Sequence, residues 1–148
     1  MPNNSDLQFV EVEFMTPLYD LTVALRDKLL RKPLGLTFAV QDLEKEYADH
    51  HLALIDKGNV VACLVLSPKG EGQVKMRQVA VDNELQSRGL GSLLVKETEQ
   101  FCIDRNYTSI VLNARATALT FYKKLNYQVD GDLFTEVGID HYKMFKKL

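Results

Sequence analysis

The stretch Gln86-Ser87-Arg88-Gly89-Leu90-Gly91 joins an apolar run, Val79-Ala80-Val81, to a helical pattern that starts at Leu90. Glycine within a helix costs about 1 kcal/mol relative to alanine, so two glycines at a helix start require an explanation. They either shape a tight turn or let an anion approach the free N–H groups and the positive dipole end of the first helical turn. A strand, a short loop with glycines and a helix form a common phosphate-binding arrangement, so both explanations stay open.

Two common phosphate-binding motifs do not fit this stretch. The dinucleotide fingerprint GxGxxG requires a third glycine where the chain has Leu94. The P-loop requires a lysine directly after its second glycine, where the chain has Ser92. We therefore expect neither a dinucleotide nor a nucleoside triphosphate at this loop.

The composition is typical of one soluble globular domain, expected to span residues 1–148. The formal net charge of -2 argues against a nucleic-acid partner, which requires a basic surface. Neither a membrane-spanning apolar run nor a secretory signal is recognisable, so we expect a cytoplasmic protein without membrane contact. Cys63 and Cys102 lie in apolar segments and are expected to be buried thiols, and no Cys/His spacing predicts a metal site.

Hydrophobic periodicity and turn residues predict the order β-α-(α)-β-β-β-α-β-α-β-β. Strands are expected at 7–14, 52–55, 60–66, 73–81, 109–113, 127–134 and 139–146, and helices at 17–32, 41–47, 90–105 and 118–125. A helix connects the strand before Gly89 to the strand after Arg105. Those two strands should therefore be parallel.

The hexapeptide 86–91 matches Q/R-x-x-G-x-G/A, and with it the chain resembles the GCN5-related N-acetyltransferases, the GNAT superfamily. In that family this segment is the pyrophosphate loop for coenzyme A. Residues 79–82 resemble the family's V-x-V-x-P strand end, and residues 118–127 resemble its A-x-x-F/L-Y-x-x-x-G-F segment. The element order is also the family's, so the resemblance covers nearly the whole chain. A narrower resemblance, to a bacterial branch that includes ElaA-like acyltransferases, rests on residues 25–26, 30–35, 77–81, 113–115 and 136–141.

The resemblance implies an α/β (α+β) fold with a mixed central sheet of six to seven strands, splayed between the fourth and fifth, and helices on both faces. It implies transfer of an acetyl group from acetyl-CoA to an amine of a small molecule or peptide, by direct attack in a ternary complex without a metal. A homodimer is compatible with it, since dimers are common in the family. The alternative is a module that binds coenzyme A without turnover.

The resemblance also assigns residues. Contacts to coenzyme A are expected from Val79, Ala80, Val81, Gln86, Ser87, Arg88, Gly89, Leu90, Gly91, Ser92, Asn113 and Arg115. Arg115 replaces an asparagine that is frequent in the family, so it either reaches a phosphate or an acidic substrate or lies on the surface. Tyr122 is expected near the thioester sulfur, where its O–H would assist departure of the thiolate. At i+4 from Ala118 it could equally serve only in packing.

The sequence indicates the general base least directly. Many family members carry a glutamate on the strand that here reads Lys75-Met76-Arg77-Gln78, and this strand has no carboxylate. His141 is a candidate because histidine commonly transfers protons near neutral pH, and Glu136 is a second.

Arginine recognises anions well, so Arg26 and Arg77 are candidates for binding an anionic group of the acceptor. In the family, the regions that correspond to residues 26–48 and 131–141 usually shape the acceptor pocket.

Overall fold

The computed structural model describes residues 7–36, 38–82 and 89–148. Its elements are β1 (Leu7–Val12), α1 (Pro17–Arg26), α2 (Val40–Glu44), β2 (His50–Asp56), β3 (Asn59–Gly70), β4 (Gln73–Val81), α3 (Leu90–Asp104), β5 (Ser109–Arg115), α4 (Leu119–Lys124), β6 (Gln128–Val129), β7 (Phe134–Glu136) and β8 (Ile139–Lys147). α1 starts as predicted, with the Tyr19 N–H donating to the Thr16 hydroxyl at 3.2 Å.

The helix expected over residues 17–32 is an α-helix only as far as Arg26, and other helical turns extend two residues beyond its expected end. The chain makes one π turn (Asp27–Arg31) and then a 3-10 turn (Lys32–Leu34). Pro33 does not stop the winding because it lies at the start of the 3-10 turn, where its missing N–H is not needed. Gly35, with φ +68°, ends it. None of the helices in the three described ranges is long and apolar enough to cross a membrane.

The sheet has the order β1-β2-β3-β4-β5-β8-β6, and β7 also pairs with β8. β1 to β4 form an antiparallel meander, β4 and β5 are parallel as predicted, and β8 is antiparallel to β5. The described part of the chain thus has eight strands rather than six to seven, because the strand expected at 127–134 is divided. Gly131, with φ +94°, separates β6 from β7.

Apolar side chains cover both faces of the sheet, and each face carries helices, which confirms the expected layers. The cluster beneath α3 and α4 includes Leu64, Leu94 and Ile110. The cluster beneath α1 includes Tyr19 and Ala53. Full burial of one large apolar side chain contributes about 1.5–3 kcal/mol, so these two clusters hold the helices in place.

β4 and β5 pair along only part of their length. The parallel register joins residues 73–76 to residues 109–112, and beyond these the strands separate. A bulge in β4 coincides with the separation: the register with β3 changes from Arg77–Val65 to Ala80–Cys63, and Gln78 has φ +54°. The expected splay between the fourth and fifth strands is confirmed, and we call this feature the β4–β5 fork.

Candidate active site

The β4–β5 fork opens into a cavity of about 680 Å³. β4 and β5 form its floor, and the starts of α3 and α4 close one end. The segment after α1 and the β7–β8 hairpin cover the rest. Ten of the residues assigned from sequence line this cavity: Val79, Val81, Gly89, Gly91, Ser92, Asn113, Arg115, Tyr122, Glu136 and His141.

Five assigned residues do not belong to the described lining. Ala80 is buried in the cluster beneath α1, and Leu90, the first residue of α3, is buried in the cluster beneath α3 and α4. Gln86, Ser87 and Arg88 lie outside the residues that the structure describes.

The start of α3 shows why two glycines stand there. Gly89 has φ +75°, a left-handed conformation that glycine adopts without strain. A Cβ on Gly91 would lie 3.3 Å from the Phe121 ring, so this glycine lets α3 approach α4 closely. The first helical bond of α3 joins the Leu93 N–H to the Gly89 carbonyl. The N–H groups of the first three helical residues therefore have no intrahelical acceptor.

The two glycines thus have different structural roles, and the tight turn expected from the sequence applies to only one of them. Gly89 shapes the turn, and Gly91 serves packing rather than space for a ligand. Two of these three free N–H groups nevertheless belong to residues that line the cavity, Gly91 and Ser92.

Tyr122 reaches the cavity from α4. Its side chain is 6% exposed and contacts the rings of Phe121 and Tyr127, at centroid distances of 5.0 and 5.6 Å. Burial raises the pKa of Tyr122 to about 12, so the phenol keeps its proton at neutral pH. Its hydroxyl has no hydrogen-bond partner among the described residues, so it is available to a bound molecule.

His141 enters the cavity from β8, opposite Arg115 on β5. Its Nδ1 lies 2.7 Å from the Ile139 carbonyl oxygen, which can only accept a hydrogen bond. Nδ1 therefore carries the proton, and Nε2 of the neutral ring carries the lone pair. Phe134 stacks on the ring at 5.7 Å and fixes its plane. No described residue occupies Nε2, so His141 can accept a proton there.

Glu136 comes from the β7–β8 hairpin. Its carboxylate accepts a hydrogen bond from the Asn113 amide at 3.4 Å. The next residue, Val137, has φ +48° although it is β-branched. The hairpin thus holds the carboxylate at the mouth of the cavity, where it is exposed to solvent.

Sequence reasoning assigned no role to several residues that line the cavity: Leu30, Arg31, Leu34, Leu36 and Gln78. Leu30, Arg31 and Leu34 come from the π and 3-10 turns after α1, and Leu36 lies two residues beyond them. The sequence predicted a regular helix up to residue 32, which does not show that these side chains reach the cavity. Gln78 lies at the bulge, and its Oε1 is buried without a partner among the described residues. A bulge leaves no sequence signal as clear as a glycine motif.

Arg26, expected as a possible anion binder, does not reach the cavity, and that expectation is wrong. Its side chain is 1% exposed, and its two terminal nitrogens donate to the Glu46 carboxylate at 2.9 and 2.6 Å. Tyr19 donates to the same carboxylate at 2.9 Å. Arg77, the other candidate, does line the cavity.

The acetyltransferase (GNAT) domain family model matches residues 36–148 of the chain. The chain belongs to the GNAT acetyltransferase family. Among its relatives, the uncharacterized N-acetyltransferase YjcF of Bacillus subtilis is 30% identical over 108 residues, which are 72% of this chain and 75% of YjcF. The resemblance read from the sequence is confirmed, and the chain is a GNAT-type acetyltransferase whose family uses acetyl-CoA.

Solved structures of the family have the same fold. Escherichia coli ElaA matches with a TM-score of 0.80 over 95% of this GNAT chain and 99% of ElaA, at 17% identity. An aminoglycoside 6'-N-acetyltransferase solved in complex with coenzyme A also gives 0.80, over 95% of this chain and 96% of that one, at 15% identity. These two proteins therefore share the fold of this chain although their sequences are only 17% and 15% identical to it.

Proposed function

We propose that this acetyltransferase transfers the acetyl group of acetyl-CoA to a primary amine, by direct attack in a ternary complex at the β4–β5 fork. The observation that carries the proposal is one cavity lined by Tyr122, by His141 and by the start of α3. It brings together a proton donor, a proton acceptor and an anion-binding helix start.

The residues at the α3 end of the cavity fit coenzyme A. The N–H groups of Gly91 and Ser92 would hold the pyrophosphate, because they are unsatisfied within the helix and their residues line the cavity. Val79 lies at the bulge and pairs with no residue of β5, so its backbone would meet the pantetheine arm. The unpartnered Oε1 of Gln78 would accept a hydrogen bond from a ligand amide. When bound, acetyl-CoA supplies the thioester carbonyl that the amine attacks and the thiolate that leaves.

His141 would act as the general base. As the amine nitrogen forms its bond to the acetyl carbon, Nε2 takes the proton that the nitrogen loses. Glu136, on the same hairpin, would stabilise the resulting imidazolium by its negative charge. The sequence pattern alone could not choose between these two residues, whereas the Nδ1 bond to the Ile139 carbonyl favours His141 as the base.

Tyr122 would act on the leaving group. A phenol with a pKa of about 12 is a hydrogen-bond donor at neutral pH and not a base. As the carbon–sulfur bond breaks, its O–H would donate to the developing thiolate, which is poorly stabilised in a site of low polarity. This contribution is made in the transition state, so it should appear in kcat.

Neither cysteine is suited to form an acyl-enzyme. Cys63 and Cys102 are both buried free thiols, and neither lines the cavity. Burial raises the pKa of each thiol to about 12, which removes the thiolate needed for nucleophilic attack. Direct attack by the amine therefore agrees with the state of both residues.

One observation favours a second function, the binding of coenzyme A without turnover. The part of β4 that lines the cavity, within residues 75–81, contains no carboxylate. If neither His141 nor Glu136 serves as the base, the cavity would bind its ligand and no other carboxylate or histidine of the described lining would deprotonate an amine.

Steady-state thiol release with a panel of primary amines tests the proposal. We expect Tyr122→Phe to lower kcat about 100-fold without changing the affinity for coenzyme A, and His141→Gln to lower kcat/KM to a similar extent. Tyr127→Phe is the matched control, because this equally buried tyrosine donates to Glu99 at 2.9 Å outside the cavity. Wild-type thiol release no faster than in buffer, despite coenzyme A binding, would contradict catalysis and support the binding module.

A further inference from the structure

The charges that line the cavity differ from those of the whole chain. The chain has a formal net charge of -2. The described lining nevertheless includes four cationic side chains, Arg31, Lys75, Arg77 and Arg115, and a single carboxylate, that of Glu136. Such an excess of positive charge in a concave site attracts anions.

Two of these cations lie away from the α3 end of the cavity. Lys75 precedes Val81 by six residues on β4, and a strand rises about 3.3 Å per residue, so their backbones are separated by about 20 Å. Arg31 lies on the π turn, which packs against β4. The leucines of this turn pack against the cluster beneath α1, so the turn lies on the face of the sheet opposite α3. Phosphates held at the start of α3 therefore do not account for these two positive charges.

Arg31 and Lys75 also lack a counter-charge. Neither forms an ion pair within residues 7–36, 38–82 and 89–148, although both are partly buried. The Arg31 guanidinium is held 4.5 Å from the centroid of the Phe38 ring, which fixes its position. Arg77 differs, because it lies 3.6 Å from the Asp49 carboxylate and donates to the Ser67 hydroxyl at 3.2 Å. Of the cations considered away from the α3 end, Arg31 and Lys75 are thus the two available to a ligand.

We propose that the acceptor is a primary amine that also carries an anionic group, a carboxylate or a phosphate. Arg31 and Lys75 bind the anionic group, while Glu136 and His141 face the amino group. The three leucines of the segment after α1, Leu30, Leu34 and Leu36, provide an apolar wall for the part of the molecule between the two charges. This inference rests on the proposed acetyl transfer at the same cavity.

Matched pairs of acceptors that differ in the anionic group test the inference. Suitable pairs are phenylalanine and its carboxamide, 6-aminohexanoate and its carboxamide, and phosphoethanolamine and ethanolamine, each compared at equal concentrations of unprotonated amine. We expect kcat/KM to be at least tenfold higher for the anionic member of the carboxylate pairs or of the phosphate pair, and the preferred pair identifies the anion. Equal or higher values for the neutral member in every pair overturn the inference.

A binding measurement separates this inference from the proposed chemistry. The same amines are added to protein saturated with coenzyme A, and the change in Tm is recorded. A larger increase with the anionic members supports the inference even without turnover, in which case only the proposed transfer fails. Turnover without a preference for the anionic members, or equal increases in Tm within every pair, overturns the inference alone.

Substitutions of Arg31 and Lys75 test where the anionic group of the acceptor binds. Arg31→Gln and Lys75→Gln should each lower kcat/KM for the anionic member at least tenfold and leave the neutral member within twofold, and Arg31→Lys should restore most of the preference. Lys28→Gln is the matched control, because it removes one positive charge from the same π turn at an exposed side chain outside this cavity. Equal losses for both members, or the same loss in the control, contradict the assignment.

Discussion

Arg26 and Arg31 lie five residues apart, yet their surroundings give them different roles. Arg26 is buried with the Glu46 carboxylate, and both charges are satisfied within the protein. Arg31 lies at the cavity wall beside Phe38. The sequence could not distinguish them, because the partner of Arg26 comes from a turn 20 residues away. Burial and pairing decide which of the two can bind a ligand.

The Arg26–Glu46 pair predicts a specific acid sensitivity. Burial raises the pKa of Glu46, but the hydrogen bonds and charge of Arg26 lower it more, so the pKa lies below its ordinary value. A carboxyl group with a lowered folded-state pKa stabilises the protein above its unfolded-state pKa, and this contribution is lost as the pH falls through the folded pKa.

We therefore expect Glu46→Gln to lower the free energy of unfolding by about 3–5 kcal/mol at pH 7, and the difference from wild type to shrink below about pH 4. Urea denaturation between pH 7 and pH 3 measures both quantities. Glu44→Gln, at an exposed position in α2, is the control and should change little. A difference between Glu46→Gln and wild type that is the same at every pH would contradict the assignment.

At the scale of elements, the packing of α3 on α4 brings the exposed N–H groups next to Tyr122. Gly91 makes this packing close, because a Cβ there would lie 3.3 Å from the Phe121 ring and 3.6 Å from Val81. Phe121 precedes Tyr122 on α4, so the contact also positions the phenol. Gly91 thus helps to set the position of Tyr122, because it allows close contact between α3 and Phe121.

This contact predicts a non-additive effect on stability. Alanine is favoured over glycine within a helix by about 1 kcal/mol, but in Gly91→Ala the new methyl group would press on Phe121. We expect Gly91→Ala to bring no gain in the free energy of unfolding, and the same change to stabilise the Phe121→Leu protein. Urea denaturation of the four proteins should give an interaction energy of at least about 0.5 kcal/mol. Additive effects would show that the two residues do not restrict each other.

The helices and strands with the clearest local sequence signals were predicted most accurately. β4 was predicted with its observed bounds and α3 to within one residue, because hairpin turns and a long apolar period mark them. The segment after Arg26 was expected to continue as a regular helix to residue 32, and its change to a π turn and a 3-10 turn was not predicted, since these turns carry no regular period of their own. The cavity residues of α3, α4 and β8 were found through family motifs, whereas Arg31 and Gln78 depend on tertiary packing that no motif records.

At the scale of the whole molecule, the β4–β5 fork connects the two faces of the sheet. α3 and α4 lie on one face, and α1 with the π turn lies on the other. The fork therefore provides a passage between the helix start that fits coenzyme A and the wall that carries Arg31. In the proposed reaction, donor and acceptor would approach the same point from opposite faces, which would allow direct transfer between them.

A ¹⁵N–¹H NMR titration of the whole chain with coenzyme A tests this account most directly. We expect saturable chemical-shift changes at the backbone amides of Leu90, Gly91, Ser92 and Val79, which surround the α3 end of the cavity. The amides of Ala53 and Leu54, in β2, which β3 separates from β4, should remain unchanged. Shifts confined to other parts of the surface, or no shifts at millimolar coenzyme A, would contradict the placement of the acyl donor at the β4–β5 fork.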